Sequence, residues 1–377
     1  MKILVINAWS SSLKYQVLDM SHNSLVVKWI VEKVWVNWSS VKNHKDALQS
    51  LVKILADGWN LDIDAIGHRV VHGGEYFKNP VFITDEVISK IDACSDLAPL
   101  HNPPNLEAIL ACKELLPALS QVAVFDTAFY QWMEPVHYLY PLPIKYYETY
   151  KIRRYGFHGT SHQYVYEQLL QNPNFTMKKN KVITCHVGNG VSITAIKDWK
   201  VIETSMGMTP LEGVMMWTRS GNIDPAIITY LMTHESMTVD QINNLLNKQS
   251  WLLWISEISS DMRDILTGIT EGNKKCALAL DMYINSLVKY IWAYAALLWW
   301  VDVIVLTAGI MEHRAIIRTM LLEKLSWMWI QIDEKSNQDE IESDTLISTS
   351  DSQVAVVVIP TNEELMIAKE TIKLTNI

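Results

Sequence analysis

Two segments about half a chain apart repeat the same local pattern. Residues 3–6 (ILVI) and 13–19 (LKYQVLD) flank the polar turn NAWSSS, and residues 181–197 place the turn HVGNG between KVITC and VSITAIK. Apolar or alternating runs joined by short polar turns predict β-hairpins. Two such hairpins indicate a duplicated domain in which each copy presents a phosphate-binding turn, although two unrelated hairpins would look the same.

The rest of the chain alternates between predicted helices and strands. Helical periodicity covers residues 44–57, 104–116, 224–234, 239–248 and 274–299, and a final helix begins at about Glu363. Strands are predicted at residues 64–71, 122–125, 301–306 and 354–359, whereas the acidic, Ser-rich residues 334–353 indicate a surface excursion. This alternation is typical of the α/β class.

Composition and charge restrict the kind of protein. With 377 residues, 49% of them hydrophobic, the chain can bury a large core, and its length favours two domains. The net charge of −9 argues against a nucleic-acid partner, because phosphate backbones are bound by clustered Lys and Arg. The 4 cysteines are far apart and form no CxxC, which fits a reducing cytosol better than a disulfide framework or a thiolate metal site.

No segment reads as a membrane span. The apolar run at the N-terminus is shorter than the core of a signal peptide, and residues 290–301 fall well short of the ~20 residues that a spanning helix needs. We therefore expect a soluble, cytoplasmic protein without a membrane partner.

Polar turns and scarce arginines are candidates for anion chemistry. Residues 7–12, followed by Lys14, offer backbone N–H groups and hydroxyls, and the two glycines in residues 186–190 allow a ligand to approach the backbone closely. Arg69 and Arg219 lie beside glycines, where a guanidinium fork could hold a carboxylate or a transferring phosphoryl group. Surface ion pairs are the alternative for both arginines.

Acidic and histidine side chains leave more than one interpretation. Asp126 ends an apolar run in FDTAF, and the residues alone fit a catalytic carboxylate and a helix cap equally well. The histidines of HRVVH and HGTSH are four residues apart, but the HExxH pattern is absent. We expect packed or hydrogen-bonding histidines there rather than a zinc site.

A series of segments, in order and spacing, resembles the acetate kinase family: INAWSSSLKYQ, GHRVVHGGEYF, LAPLHNPPN, AVFDTAF, RRYGFHGTSH, CHVGNG, TSMGMTPLEGVMMWTRSGNIDP, SSDMRDI, TAGIMEH and IPTNEEL. The resemblance implies the α/β fold of sugar kinases, actin and Hsp70, with duplicated RNase H-like domains and a central cleft for ATP and substrate. The implied N-terminal domain is residues 1–126 plus the returning helix at 364–377. The implied nucleotide-binding C-terminal domain is residues 127–363.

The resemblance also implies roles for particular residues. The implied catalytic carboxylate is Asp126, and the implied transition-state stabilisers are His158 and Arg219. The implied acetate ligand is Arg69, with a small apolar methyl pocket made by Val71, Leu100, Phe157 and Pro210. The implied Mg²⁺ ligands are Asn7 and Glu363. The implied ATP contacts are Lys14, His186, Val187, Gly188, Asn189, Gly190, Asp261, Met262, Arg263, Gly309, Ile310, Met311, Glu312 and His313.

The implied activity is reversible, Mg²⁺-dependent transfer of the ATP γ-phosphoryl group to acetate, giving acetyl phosphate and ADP, with Mn²⁺ as an alternative ion. The resemblance further implies a homodimer. Two alternatives stay open. One is a propionate or butyrate kinase of the same fold, because one methylene shifts selectivity by only ~1–3 kcal/mol. The other is a catalytically impaired, actin-like nucleotide-binding protein.

Tryptophan stands where this pattern has glycine. The chain contains 15 Trp and 14 Gly, whereas average usage of ~7% predicts about 26 Gly. The family has, or commonly has, Gly at Trp9, Trp217, Trp251, Trp254, Trp292, Trp299 and Trp300. In addition, Trp199 follows Asp198 between two alternating runs, where Asp-Gly would make a type I′ hairpin, and Trp59 lies in a Gly-Trp-Asn turn.

One systematic cause explains these tryptophans better than independent mutations do. In this hypothesis the organism uses the codon UGA for Gly, whereas the sequence has been translated with Trp at that codon. This hypothesis does not explain Met311, which stands at another position where the family has Gly. It does not explain Trp132 either, because the family does not have Gly there. We predict that mass spectrometry of the native protein finds Gly at positions 9, 217, 251, 254, 299 and 300. Native peptides with Trp at positions 9 and 217, from an enzyme of ordinary activity, would contradict the hypothesis.

Overall fold

Two six-stranded mixed sheets organise the chain in a computed structural model that describes residues 1–9, 12–32, 62–250, 252–259 and 261–375. The first sheet contains β1 (Lys2–Trp9), β2 (Ser12–Asp19), β3 (Ser24–Glu32), β4 (Ala65–Val70), β5 (Val81–Phe82) and β6 (Ser120–Phe125). The second contains β7 (Lys181–Val187), β8 (Val191–Lys197), β9 (Lys200–Thr204), β10 (Val303–Thr307), β11 (Thr345–Leu346) and β12 (Ala355–Val358).

Helices connect and cover these strands. Within the described ranges they are α1 (Asp85–Ala93), α2 (Asn102–Leu115), α3 (Pro135–Tyr138), α4 (Lys145–Tyr150), α5 (Gly159–Gln171), α6 (Ala226–His234), α7 (Val239–Lys248), α8 (Leu252–Ser256), α9 (Met262–Thr270), α10 (Lys274–Leu297), α11 (Gly309–His313), α12 (Ala315–Lys324) and α13 (Glu363–Thr375). Among these residues no helix is long and apolar enough to cross a membrane.

The two sheets have the same topology. Their strand orders are β3-β2-β1-β4-β6-β5 and β9-β8-β7-β10-β12-β11. In each, three antiparallel strands lead into two parallel pairings, and a short antiparallel strand closes the edge. Both predicted hairpins are present, as β1–β2 and β7–β8, so the structure confirms the duplicated α/β architecture.

The contacts divide the chain into two compact units. The first unit is Met1–Gln131, Phe157–Tyr164 and Asn362–Ile377, and the second is Trp132–Gly156 and Val165–Thr361. The domain boundaries that the resemblance implies stay a prediction.

The core of the first unit lies on both faces of its sheet. In β1, Leu4 and Ile6 pack with α2, whereas Ile3 and Val5 pack with α13, as expected for side chains that alternate across a strand. Because helices cover both faces, β1 reads as a continuous apolar run rather than an alternating one. The carboxyl ends of β1, β4 and β6, which are parallel neighbours, therefore meet at one edge of the sheet.

Gly67 in β4 allows α13 to approach the sheet. A Cβ atom at this position would lie 2.5 Å from Thr371 Oγ1 and 2.8 Å from Ile367 Cγ2, closer than real Cβ contacts. The glycine thus fixes how near the last helix, which begins at Glu363, comes to β4.

In the second unit, α10 is the main covering helix. It packs against β7 and β8 and also contacts α8, α9 and α12. Its buried residues include Leu280, Ile284 and Leu287, spaced three or four apart on one face. The predicted helix at residues 274–299 is therefore confirmed, and its last turn ends at Leu297.

The other predicted elements are confirmed within a few residues. The helix predicted at 44–57 lies outside the described residues. The predicted surface excursion at residues 334–353 is only partly exposed, because Asn337, Ile341 and Ile347 are buried and β11 joins the second sheet. Pairing with β12 draws this segment inward.

Several tryptophans occupy backbone conformations that favour glycine. Trp199 (φ 70°), Trp299 (φ 54°), Trp300 (φ 104°) and Trp329 (φ 52°) lie in the left-handed region. Trp199 follows Asp198 (φ 48°) in the two-residue turn between β8 and β9, the type I′ geometry predicted from the sequence. Positive φ in a bulky residue is a steric outlier, so these turns conflict with their side chains. Trp59 and Trp251 lie outside the described residues.

We predict that Trp199→Gly stabilises the chain. Left-handed backbone costs an L residue about 1–2 kcal/mol, and the Trp199 side chain is 64% exposed. The change therefore relieves strain and loses mainly the edge-on contact of the Trp199 ring with Tyr166, at 5.2 Å between centroids. Thermal unfolding should show a higher Tm for the variant. Trp132→Gly is the control, because Trp132 is 63% exposed but does not have positive φ. Equal effects of the two changes would contradict the explanation from backbone strain.

Candidate active site

A buried ion pair lies at the carboxyl edge of the first sheet. Arg69 is the penultimate residue of β4, and Asp126 follows directly after the neighbouring parallel strand β6. The guanidinium donates from Nη2 to Asp126 Oδ2 (2.6 Å) and from Nε to Oδ1 (3.1 Å). Both side chains are almost fully buried. The arginine is therefore held as a fixed, two-pronged cation rather than in a surface ion pair, and the Asp126 carboxylate faces it.

Asn7 and Thr160 extend the pair into a network. Arg69 Nη1 donates to Asn7 Oδ1 at 3.1 Å, across from β1. The Thr160 hydroxyl contacts Asp126 Oδ1 at 3.1 Å and Glu363 Oε1 at 3.4 Å. The structure thus brings four residues singled out from the sequence, Asn7, Arg69, Asp126 and Glu363, into one cluster. Thr160 was not singled out, although it lies in the quoted RRYGFHGTSH segment.

Carboxylates outnumber cations in this cluster. Glu364, next to Glu363, forms an ion pair with Lys14. Burial raises the pKa of Glu363 to about 7; Arg69 acts against this shift, and the charges of Asp126 and Glu364 add to it. Burial lowers the pKa of Arg69, but the neighbouring carboxylates outweigh this effect and hold it above its usual range. With all groups ionised, three carboxylates face two cations.

The cluster fits a hard divalent cation. Asn7 and Glu363 offer oxygen atoms, which are the donors that Mg²⁺ prefers, and an added cation would offset the excess carboxylate charge. Within the described ranges no group of three or more His, Cys, Asp or Glu side chains is arranged to hold a metal by itself. A site with few protein ligands is typical of Mg²⁺ that is shared with substrate phosphates.

His158 lies at the start of α5, close to the ion pair. Its backbone has φ 57°, and the next residue, Gly159, donates its N–H to the Asp126 carbonyl at 3.1 Å. A Cβ atom at Gly159 would lie 2.0 Å from that carbonyl oxygen, so only glycine permits the approach. The glycine therefore fixes the start of α5, with His158 directly before it and Thr160 within it, against the end of β6.

Three of the four residues implied for the methyl pocket belong to the first unit. Val71 and Phe157 are buried, and the Phe157 ring meets His72 edge-on at 5.5 Å between centroids, next to Val71 in the chain. Leu100 belongs to the same unit but is 48% exposed. Pro210 belongs to the second unit.

The second unit contains a cavity of about 240 Å³ at the end of its own hairpin. Its lining includes eight of the residues implied for ATP: Gly188, Asn189, Asp261, Met262, Arg263, Gly309, Ile310 and His313. Asp261 caps α9 by accepting from the Arg263 N–H at 2.8 Å, and its carboxylate also pairs with the Arg263 guanidinium. Three separate chain segments thus converge on one cavity.

The other residues implied for ATP, apart from Lys14, are chain neighbours of residues that line this cavity. Glu312 Oε1 accepts from the backbone N–H groups of Ala308 (2.7 Å) and Thr361 (3.0 Å), which fixes the loop after β10. Val187 and Met311 are fully buried, His186 is the penultimate residue of β7, and Gly190 is the last residue of the β7–β8 turn. Lys14 lies in the first unit with Glu364.

Arg219 is a partly buried cation without an acidic partner among the described residues. Its Nη1 donates to the Pro210 carbonyl at 3.2 Å and lies 3.6 Å from Met216 Sδ. Burial lowers the pKa of its guanidinium, as expected where no carboxylate compensates for lost solvation. Such an arginine is suited to bind an anionic ligand.

Arg154 holds the irregular segment that carries Arg219 and Pro210. Its Nη1 donates to the Thr204 carbonyl at 3.0 Å, and its Nη2 pairs with Glu212 at 2.7 Å. The sequence did not single out this residue. Its RRYGFHG segment was the available signal, but a distant carboxylate partner cannot be read from local spacing.

Trp217 also lines the cavity. Its indole Nε1 is buried, and no described residue accepts its hydrogen bond. An unsatisfied buried donor is unfavourable, and the indole occupies space beside the Gly188–Asn189 turn. Trp217 therefore fits its surroundings poorly, which agrees with the prediction of glycine at this position.

Comparison with known proteins decides the family. The profile of the "Acetokinase family" matches residues 2–369. The chain belongs to the acetokinase family. An acetate kinase of Caldanaerobacter subterraneus subsp. tengcongensis is 49% identical, over 99% of this chain and 99% of the relative.

Solved structures of acetokinase-type enzymes share the fold. The acetate kinase of Porphyromonas gingivalis superposes with a TM-score of 0.93 at 40% identity, over 99% of both chains. A propionate kinase from Francisella tularensis gives a TM-score of 0.92 at 40% identity, again over 99% of both chains. The predicted family and the predicted duplicated RNase H-like fold are therefore confirmed.

Proposed function

We propose that this acetokinase transfers the γ-phosphoryl group of ATP reversibly to acetate, giving acetyl phosphate and ADP. The observation that carries the proposal is the buried Arg69–Asp126 pair, linked to Asn7 and Glu363 at one sheet edge. A nucleotide-binding protein without transferase activity would need the cavity of the second unit. It would not need a buried arginine that binds the carboxylate of a second substrate.

The proposed role of Arg69 is to bind the acetate carboxylate. A carboxylate is already nucleophilic, so the reaction needs no strong base. It does need charge neutralisation, because two anions must react with each other. The contacts of Arg69 with Asp126 and Asn7 hold its guanidinium plane in one orientation before acetate arrives.

Apart from Lys14 in the first unit, the proposed nucleotide contacts belong to the second unit, where Gly188, Asn189, Asp261 and Gly309 line the cavity. Arg219, lacking an acidic partner among the described residues, and His158, next to Gly159, are proposed to stabilise charge on the transferring group. Asn7 and Glu363 would hold Mg²⁺, or Mn²⁺. That ion, when bound with ATP, neutralises phosphate charge.

Assembly and location are part of the proposal. We propose a cytoplasmic homodimer. The apolar helix α6 has no buried residue, and Ile227, Tyr230 and Met232 are exposed on it. Exposed apolar residues on one helix are typical of a surface that contacts another subunit. The four free, buried cysteines fit a reducing compartment.

Acetate-dependent ATP consumption, with the acyl phosphate trapped by hydroxylamine, tests the activity. We expect hydroxamate to form in equal amount to ADP, with acetate preferred over propionate and butyrate. ATP hydrolysis without hydroxamate would support a nucleotide-binding protein instead. A preference for propionate would instead support a propionate kinase, the activity named for the relative from Francisella tularensis.

We predict that Arg69→Ala raises the KM for acetate strongly and leaves the KM for ATP nearly unchanged. Loss of a charge-assisted hydrogen bond of ~1.5–3 kcal/mol corresponds to about 10- to 100-fold in KM. Because the change also leaves Asp126 buried without its partner, Arg69→Lys is measured beside it, with Tm as a check on folding. An unchanged acetate KM in both variants would remove Arg69 from the carboxylate site.

We predict that Asn7→Ala and Glu363→Ala alter the dependence of the rate on Mg²⁺. Each removes one oxygen ligand, so the Mg²⁺ concentration for half-maximal rate should rise by about tenfold, or ~1.4 kcal/mol. Titrating Mg²⁺ at saturating ATP and acetate measures this shift. A change confined to acetate affinity would contradict the assignment.

A further inference from the structure

Strands β1 and β4 stop pairing where the candidate site begins. Their parallel register runs from Ile3 opposite Ala65 to Ile6 opposite His68. Beyond that point, among the residues that the structure describes, β1 pairs only with β2, and β4 only with β6. The next residues of the two strands are Asn7 and Arg69, both part of the cluster. Without backbone pairing there, side chains must set the distance between the two strand ends, and the hydrogen bond from Arg69 to Asn7 is one such link.

The side-chain amide of Asn105 spans this gap. Its Oδ1 accepts from the Val71 N–H at 3.0 Å, and its Nδ2 donates to the Ala8 carbonyl at 2.7 Å. The residue is 2% exposed. A side-chain amide has one acceptor and one donor side, as a peptide group does. Asn105 therefore replaces one of the backbone hydrogen-bonded links that are missing between β1 and β4.

The helix that carries Asn105 is itself fixed. Two prolines occupy the first turn of α2, and its residues Ala108, Ala111 and Cys112 pack against β1 in the core. The amide is therefore presented from a rigid element rather than from a loop. Asp in its place would lack the donor when ionised, and Gln would be one methylene too long.

Asn102, one turn earlier on α2, provides an internal comparison. It is fully buried and also uses its amide for backbone contacts, accepting from the His72 N–H (3.0 Å) and donating to the carbonyls of His72 (2.9 Å) and Ile91 (3.2 Å). These contacts hold the chain after β4, but they do not reach β1. The two asparagines thus share burial and chemistry and differ in whether they connect the strands.

We propose that Asn105 is a positioning residue that sets the spacing between the end of β1 and the end of β4. The first end carries Asn7 and leads into the polar turn toward Lys14, and the second carries Arg69 and Val71. Asn105 thereby aligns the proposed phosphate side of the site with the proposed carboxylate side. The inference rests on the proposed function, and its effect is expected on alignment rather than on the binding of either substrate alone.

The test compares Asn105→Asp with Asn102→Asp in the full chain. Each substitution keeps the size of the side chain and its acceptor oxygen, and, when the new carboxyl group is ionised, it removes the donor and adds a negative charge. Both should lower Tm. Only Asn105→Asp should lower kcat by about 10- to 100-fold, the effect of a misplacement near 1 Å, with the KM values for acetate and ATP little changed. Hydroxamate trapping gives the rates, normalised to folded protein.

Equal losses of kcat in the two variants, or an unchanged kcat in folded Asn105→Asp, would overturn the proposal. If Asn105→Asp does not fold, Asn105→Ser and Asn102→Ser replace the pair, since a neutral hydroxyl avoids a buried charge but cannot reach both strands; the same difference in kcat is expected. Wild-type protein that forms no hydroxamate would instead count against the proposed function, so the two failures are distinguishable.

Discussion

The buried ion pair of Arg69 and Asp126 is the constraint on which the polar part of the first unit depends. Taking two charges out of water costs several kcal/mol per ion, and their attraction offsets this cost only when further hydrogen bonds satisfy both groups. Asn7 and Thr160 supply those bonds, and Gly159 allows the necessary close approach of α5 to Asp126. Strand ends, a helix start and the last helix therefore all converge on one cation.

The same sheet topology supports different chemistry in the two units. In the first, the edge beyond β1, β4 and β6 collects buried charged residues. In the second, the corresponding hairpin ends in the Gly188–Asn189 turn, and the adjoining cavity is lined mainly by loop and helix-start residues. Duplication thus supplied two scaffolds of equal form, and the side chains at the strand ends determine what each can bind.

The tryptophans show a conflict between backbone and side chain. The two-residue connection between Lys197 and Lys200 requires positive φ at both of its residues, whichever side chain Trp199 carries. Most segments of the chain agree with their local structure, so such disagreement marks positions where glycine suits the fold better.

The order and type of the secondary-structure elements could be predicted from the sequence alone, because hairpins, helix periodicity and turn residues depend on neighbours a few positions apart. Family resemblance added the candidate residues. Only the tertiary structure decided how they combine: Arg69 meets Asp126 across 57 positions, Asn105 reaches Ala8 across 97, and Thr160 contacts Glu363 across 203. No local pattern encodes such pairs, since they arise where parallel strands end at one edge and distant helices pack against it.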